Sequence, residues 1–339
     1  MKINELCEEG KISLPVLITR CEIGRTNKNL PYLSLTLEDK TGVLDAKFWN
    51  LTEEQAAKWQ AGQIVEATGD LIRYRNAWQL RVRTLEETEG DVMDFVQAAP
   101  MSRAEMEAKV SELVDQIENP IIQDLTREMI DMKREDFFSY PAAVRNHHAY
   151  PGGLAWHSLS MVALALNIVD LYPFLDRDLM IAGTLLHDIA KTEEYSQALL
   201  PEYTSAGNLI GHISMGAMLL DRVAVALDIE DKEEVMLLKH MLLSHHGRTD
   251  FGSPVVPMTA EAEVLSQIDN LDSKLNMIEQ NLLAVEPGKF GPRTFALENR
   301  MFYRKSWDDV NGRPVPKTEM ESDKTDEAAL SQTEPEIKE

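Results

Sequence analysis

Leu185-Leu186-His187-Asp188-Ile189-Ala190-Lys191 sets an imidazole beside a carboxylate at the end of an apolar helical stretch. On its own the pair is weak evidence, because an acid next to a histidine is commonly a satisfied core hydrogen bond. The other histidines change its weight. All eight (His147, His148, His157, His187, His212, His240, His245 and His246) fall between residues 147 and 246. Histidines spent as surface or core residues would be scattered along the chain, whereas a cluster suggests ligands.

Around this pair the chain reads as helical from Ser102, which opens a Ser-Arg-Ala-Glu capping box, almost to residue 285. Helices are expected at 103–118, 120–135, 157–172, 177–194, 211–227, 231–245 and 260–284. Pro120, Pro141, Pro151, Pro173 and Gly152-Gly153 fall between them, where helix breakers belong. His157 then opens one helix, His187 and Asp188 lie near the end of the next, His212 opens a third, and His245-His246 close a fourth. On the last helix Leu265, Asp269 and Asp272 follow i, i+4, i+7 beside an apolar stripe, which directs a carboxylate inward. A bound cation would resolve the cost of burying it. His240, five residues before His245, lies off that face and reads as structural.

Upstream, strands are expected at 15–23, 31–37, 43–49, 63–74 and 77–85, with a short helix at 53–60 capped by Thr52. Three strands, a helix and two strands is the order of a small OB-type barrel. The expected fold is therefore multidomain: an all-β OB barrel (residues 1–90), a linker (91–101), an all-α helical domain (102–305) and a disordered acidic tail (306–339). The last 28 residues carry eight acids against four bases and few apolar side chains.

Composition bounds the function. A length of 339 residues, 44% of them hydrophobic, suffices for two cores. Cys7 and Cys21 lie in no CxxC spacing, so neither a disulfide framework nor a cysteine zinc site is implied, and a reducing cytoplasm fits. The N-terminus lacks an apolar leader. The longest apolar run, 161–169, is broken by Asn167 and is short of a membrane span, so no membrane association is expected. The net charge of −23 argues against nonspecific attraction to nucleic acid. Residues 1–90 carry only −2 of it, so a nucleic-acid contact belongs on the N-terminal part or close to bound cations.

Two stretches carry family resemblance in the first domain. YLSLTLEDKTGVLDAKFWN (32–50) followed by GDLIRYRNAWQLRV (69–82) resembles the nucleic-acid-binding OB domains of the tRNA-anticodon-binding type. Such barrels stack bases on aromatic side chains beside basic ones. Tyr32, Phe48, Trp49, Tyr74 and Trp78 are the aromatic candidates, with Arg25, Lys28, Arg73, Arg75, Arg81 and Arg83 as the basic ones. Of these, Tyr32, Trp49, Arg73, Tyr74, Arg75 and Trp78 form the expected substrate-binding set. The plain alternative is that the aromatics fill the barrel and the arginines form a solvated face.

In the second domain, H…HD…H…HH…D in a helical context resembles the HD-domain metallophosphohydrolases over residues 140–285. With HHAYPGGLAWHS (147–158) before it and the OB domain ahead, the chain resembles the YhaM family of 3′-to-5′ exoribonucleases over roughly residues 1–305. That resemblance implies that His157, His187, Asp188 and Asp269 hold one metal. Asp188, His212, His245 and His246 would hold a second, with Asp188 bridging. Mixed imidazole and carboxylate donors suit Mn²⁺, Fe or Zn²⁺ better than Mg²⁺, and Mn²⁺ is the expected ion. His187, Asp188 and Lys191 are the expected catalytic residues, Lys191 neutralising charge on the phosphorane; a surface lysine at a helix end is its plain alternative. His148 and Tyr150, with His147, would contact substrate beside the Gly-Gly turn.

The function implied is metal-dependent 3′-to-5′ hydrolysis of single-stranded RNA, with single-stranded DNA a second candidate, to nucleoside 5′-monophosphates. The alternatives are an HD phosphohydrolase acting on a nucleotide or cyclic dinucleotide, and a non-catalytic nucleic-acid-binding regulator holding a structural metal. A homo-oligomer is compatible with the sequence.

Overall fold

A computed structural model describes residues 1–74, 77–144, 148–283 and 285–307. Five strands, β1 (Gly10–Arg25), β2 (Pro31–Asp39), β3 (Gly42–Phe48), β4 (Ile64–Tyr74) and β5 (Ala77–Glu87), close a barrel in the order β1-β2-β3-β5-β4. All neighbours are antiparallel except β3 and β5, which run parallel from Asp45↔Gln79 to Phe48↔Val82. β2 shows why the barrel closes: Pro31, Leu33, Leu35, Leu37 and Asp39 point inward in strict alternation. Leu33, Leu35 and Leu37 meet Leu14, Val16, Leu44, Val65, Ala67, Leu71 and Leu80 in one apolar core. α1 (Glu53–Ala57), capped by Thr52 Oγ1, buries Ala56 against the same core.

The linker is not slack chain. Val92, Phe95 and Val96 pack with Leu17 and Ile64 of the barrel and with Leu199 of the helical part. Lys40 pairs with Asp94 at 3.0 Å. Met1–Lys274 forms one compact unit that includes both barrel and bundle, and a second unit begins at Leu275. In that second unit the Arg304 guanidinium donates to the Val285 carbonyl at 2.6 Å, and Phe290 bridges to Tyr303. The expected acidic tail lies outside the described residues from position 308 onward.

The bundle is built from α2 (Arg103–Asp115), α3 (Pro120–Met132), α4 (Arg134–Phe137), α5 (Gly153–Leu171), α6 (Arg177–Leu186), α7 (Lys191–Glu194), α8 (Ser205–Ile210), α9 (His212–Ala226), α10 (Glu233–Ser244) and α11 (Ala260–Leu283). Ser102 Oγ accepts from Glu105 N–H and Ser102 N–H donates back to the Glu105 carboxylate, as a capping box should. Leu125, Met129, Phe137, Leu154, Met161, Leu185, Leu186, Leu220, Leu238 and Leu265 fill one core. α5 is long and apolar enough, by length and composition, to cross a membrane, contrary to the reading of its apolar run as too short. In the fold its Leu154, Ala155, Met161, Val162 and Ala165 face the bundle core.

Among the element limits that differ from expectation, three have a clear local reason. α5 begins at Gly153, not 157, because Gly152 takes a left-handed φ of 75° and its carbonyl accepts from Trp156 N–H. His157 therefore sits one turn inside the helix. The helix expected over 177–194 stops at Leu186, and i→i+3 bonds such as Lys191 N–H to Asp188 O carry the chain round a tight turn before α7. α8, capped by Thr204, was not expected, since Gly207 and Gly211 dilute its pattern.

Candidate metal centre and nucleic-acid interface

Five helices and turns bring distant residues to one point. The donor atoms of His157, His187 and Asp269 lie within 4.8 Å of one another, and so do those of His212, His245 and His246. Asp188 stands between the two groups. Its Oδ2 is 3.2 Å from His187 Nε2, and its Oδ1 is 3.3 Å from His212 Nε2 and 3.6 Å from His245 Nε2. Asp269 Oδ1 is 3.3 Å from His157 Nε2.

The imidazoles are all held from behind. His187 Nδ1–H donates to Thr184 O at 2.8 Å, His245 Nδ1–H to Leu242 O at 2.7 Å, and His246 Nδ1–H to Phe251 O at 2.8 Å. His157 Nδ1 is 2.7 Å from Asp272 Oδ2, and His212 Nδ1 is 2.9 Å from Glu194 Oε2. These partners assign the proton to Nδ1 and turn the Nε2 lone pairs inward. A carbonyl or carboxylate behind each ring is the arrangement that orients metal-ligating histidines.

The inward atoms fit cations. Nε2 of His187, His212 and His245 and Oδ1 of Asp188 are buried and hydrogen-bonded to nothing among the described residues. Buried polar atoms left this way cost free energy, about 1–3 kcal/mol each, unless a further group satisfies them. Burial pushes the pKa of His245 and His246 down, which keeps both rings neutral and able to ligate. Burial opposes charge at His157 as well, but the hydrogen bonds of Asp269 and Asp272 prevail and push it up to about 9, so a cation binding at its Nε2 would have to displace a proton. For Asp188 the burial cost is outweighed by the charge of Lys191 and the neighbouring imidazoles, which hold the carboxyl well below the usual range. Lys191 Nζ is 2.6 Å from Asp188 Oδ2, and the lysine is buried rather than spread on the surface.

On the barrel, a groove of about 580 Å³ is lined by Lys47, Trp49, Asn50, Ile72, Tyr74, Gln79 and Arg81. Tyr32 stacks on Trp49, ring centroids 4.3 Å apart and 28° from parallel, with the Lys47 ammonium 5.6 Å from the Tyr32 centroid. Arg73 lies 4.4 Å over the Trp78 ring. Tyr74 is half exposed. Aromatic faces beside cations suit stacked bases and phosphates.

Comparison with known proteins agrees with both halves. Residues 17–88 match the model of the OB-fold nucleic acid binding domain, and residues 154–274 match that of the HD domain. Over 304 residues the chain is 42% identical to the 3′-5′ exoribonuclease YhaM of Geobacillus sp. (strain WCH70), an alignment covering 88% of this chain and 94% of that protein. This chain belongs to the YhaM family.

Seen in this YhaM-family fold, the seven expected ligands come together, and Lys191 joins them through Asp188. His148 and Tyr150, expected to contact substrate, are buried beside the ligand group. His148 is buried, with Nδ1 2.8 Å from Tyr150 Oη and Nε2 2.8 Å from Asp272 Oδ2, so both ring nitrogens are taken. Tyr150 is buried as well. The backbone explains the burial: a Cβ at Gly153 would run into the His148 carbonyl, so this segment is pressed against the start of α5 behind His157. His240 is structural, its Nε2 accepting from Met258 N–H at 2.9 Å.

Among the barrel candidates, Arg25 pairs with Glu53 and Arg83 with Asp70, as on a solvated face. Phe48 and Trp78 are half-buried against the barrel core. Arg75 and His147 lie outside the described residues. Sequence reasoning placed Asp272 on the inward side of its helix but not its partner His157, and it missed Glu194, which holds His212, and Lys47, Asn50, Ile72 and Gln79 in the groove.

Proposed function

We propose that this chain degrades single-stranded RNA from the 3′ end to nucleoside 5′-monophosphates, with two divalent cations, Mn²⁺ foremost, held between His157, His187, Asp188 and Asp269 on one side and Asp188, His212, His245 and His246 on the other. The relative's name, 3′-5′ exoribonuclease, and the HD and OB-fold matches support the metal-dependent phosphodiester hydrolase. The observation that carries the finer reading is Asp188, whose two carboxylate oxygens face different ligand groups. Divalent cations bound there would supply Lewis acidity to a phosphodiester and lower the pKa of water.

The protein's own groups do the rest. The Nδ1 partners hold each ring so that no reorganisation is needed when substrate arrives. Lys191, kept cationic by the Asp188 charge despite burial, offsets negative charge next to the phosphate. The barrel, residues 1–90, holds the strand through its groove and keeps it close to the helical domain. Trp49→Ala combined with Tyr74→Ala should raise KM for RNA about tenfold or more, since one base stack is worth ~1–3 kcal/mol. Steady-state kinetics on a single-stranded oligonucleotide would measure it.

The direct test is incubation of 5′-end-labelled single-stranded RNA with Mn²⁺. A ladder shortening from the 3′ end, with 5′-monophosphates as product, is the expected result. Turnover of nucleotides or cyclic dinucleotides with intact RNA would point instead to a small-molecule phosphohydrolase. RNA binding without turnover would point to a regulator. Single-stranded DNA in parallel reports how far the site tolerates the missing 2′-hydroxyl.

A further inference from the structure

The turn that follows the tandem histidines, Arg248 to Phe251, is more than a connection. Gly247 takes a φ of 73°, and a Cβ there would run into Ser266 Oγ, so the chain leaves His246 in a conformation that favours glycine. Thr249–Phe251 then forms a short 3₁₀ turn in which Phe251 N–H donates to Arg248 O at 3.0 Å and Gly252 N–H to Thr249 O at 3.0 Å. The Phe251 carbonyl accepts from His246 Nδ1–H at 2.8 Å, which ties the turn to a candidate ligand.

This tightly held turn presents two large side chains to solvent. Phe251 is 63% exposed and the Arg248 side chain 68% exposed, with the guanidinium 5.5 Å from the ring centroid and 3.6 Å from the Asp250 carboxylate. Neither side chain contributes to the bundle core. An aromatic face and a planar cation on a backbone fixed to the metal centre suit a nucleobase for stacking and a phosphate for charge pairing.

We infer that Phe251 and Arg248 form a nucleotide subsite at the rim of the metal centre, Phe251 stacking on a base next to the scissile phosphate and Arg248 pairing with a neighbouring phosphate. The inference rests on the exoribonuclease reading above. It differs from the barrel groove in its consequence: a rim subsite acts on the nucleotide being removed, so it governs the last few nucleotides of a short substrate as much as a long one.

The test uses the full chain loaded with Mn²⁺ and compares Phe251→Ala, Phe251→Trp and Arg248→Ala on a trinucleotide and on a 20-nucleotide RNA. Phe251→Ala should raise KM about tenfold on both substrates, with bound Mn²⁺ per chain unchanged, and Phe251→Trp should restore it. Arg248→Ala should raise KM and flatten its dependence on salt. Unchanged KM in Phe251→Ala, no difference between Trp and Ala, or a loss of Mn²⁺ that accounts for the defect would each overturn the subsite. If the wild-type protein leaves both RNAs intact, the exoribonuclease reading fails instead.

Discussion

Asp188→Ala is expected to abolish RNA degradation, by at least about a thousandfold, and to lower bound Mn²⁺ in the same protein. The size follows from what the carboxylate touches: it lies within 3.6 Å of imidazoles from both ligand groups. Loss of metal-assisted stabilisation worth about 4 kcal/mol corresponds to that factor. Alanine also strands the buried Lys191 ammonium, whose carboxylate partner lies 2.6 Å away, and breaking a buried pair on one side costs about 3–5 kcal/mol of stability. Asp188→Asn keeps the shape, so it separates the two effects. Thermal melts, Mn²⁺ content and rate on end-labelled RNA, taken together, check it. An Asn variant that melts like wild type, holds its Mn²⁺ and still digests RNA would remove Asp188 from the centre.

The second large effect is expected from a residue that faces away from the proposed cations. Asp272 accepts from His157 Nδ1 at 2.7 Å, from Ser160 Oγ at 2.7 Å and lies 2.8 Å from His148 Nε2. Losing such a partner typically costs 10–100-fold in metal affinity. Asp272→Asn should therefore weaken Mn²⁺ binding about 10- to 100-fold in a calorimetric titration, with activity recovering as Mn²⁺ is raised. Ser160→Ala, which removes one bond to the same carboxylate, should weaken it less. Equal affinity in Asp272→Asn and wild type would show that His157 needs no support from behind.

Much of the molecule was readable from residue pattern. Alternation in β2 and the capping boxes at Thr52 and Ser102 are local signals, and local physics decides them. The gathering of histidines was readable because imidazoles are few and fall in one region, while their division into two candidate ligand groups came only with the family resemblance. What stayed hidden was pairing across long sequence distances. Asp272 lies 124 residues from His148 and 115 from His157, and its place beside the apolar stripe of its helix does not say which side chains it meets. Glu194 was hidden for another reason: the chain turns after Leu186, and a continuous helix, as periodicity suggested, would have pointed it elsewhere.

His148 differs in another way. A histidine before a Gly-Gly turn looks available, yet the close approach that glycine permits is here an approach of the chain to itself, with the ring packed between Tyr150 and Asp272. In the barrel, aromatic type alone could not separate Trp49 and Tyr74, which line the groove, from Phe48, which leans on the core, because the choice depends on which face of a closing sheet each strand position takes.

The arrangement of Asp188 between two histidine groups is tested most directly by titrating the purified, metal-stripped chain with Mn²⁺ and following it by electron paramagnetic resonance. Two ions bound per chain, with the spectrum of a spin-coupled pair that Asp188→Asn converts to that of isolated ions, is the predicted result. Saturation at one ion per chain, or two ions that never couple, would contradict a shared carboxylate.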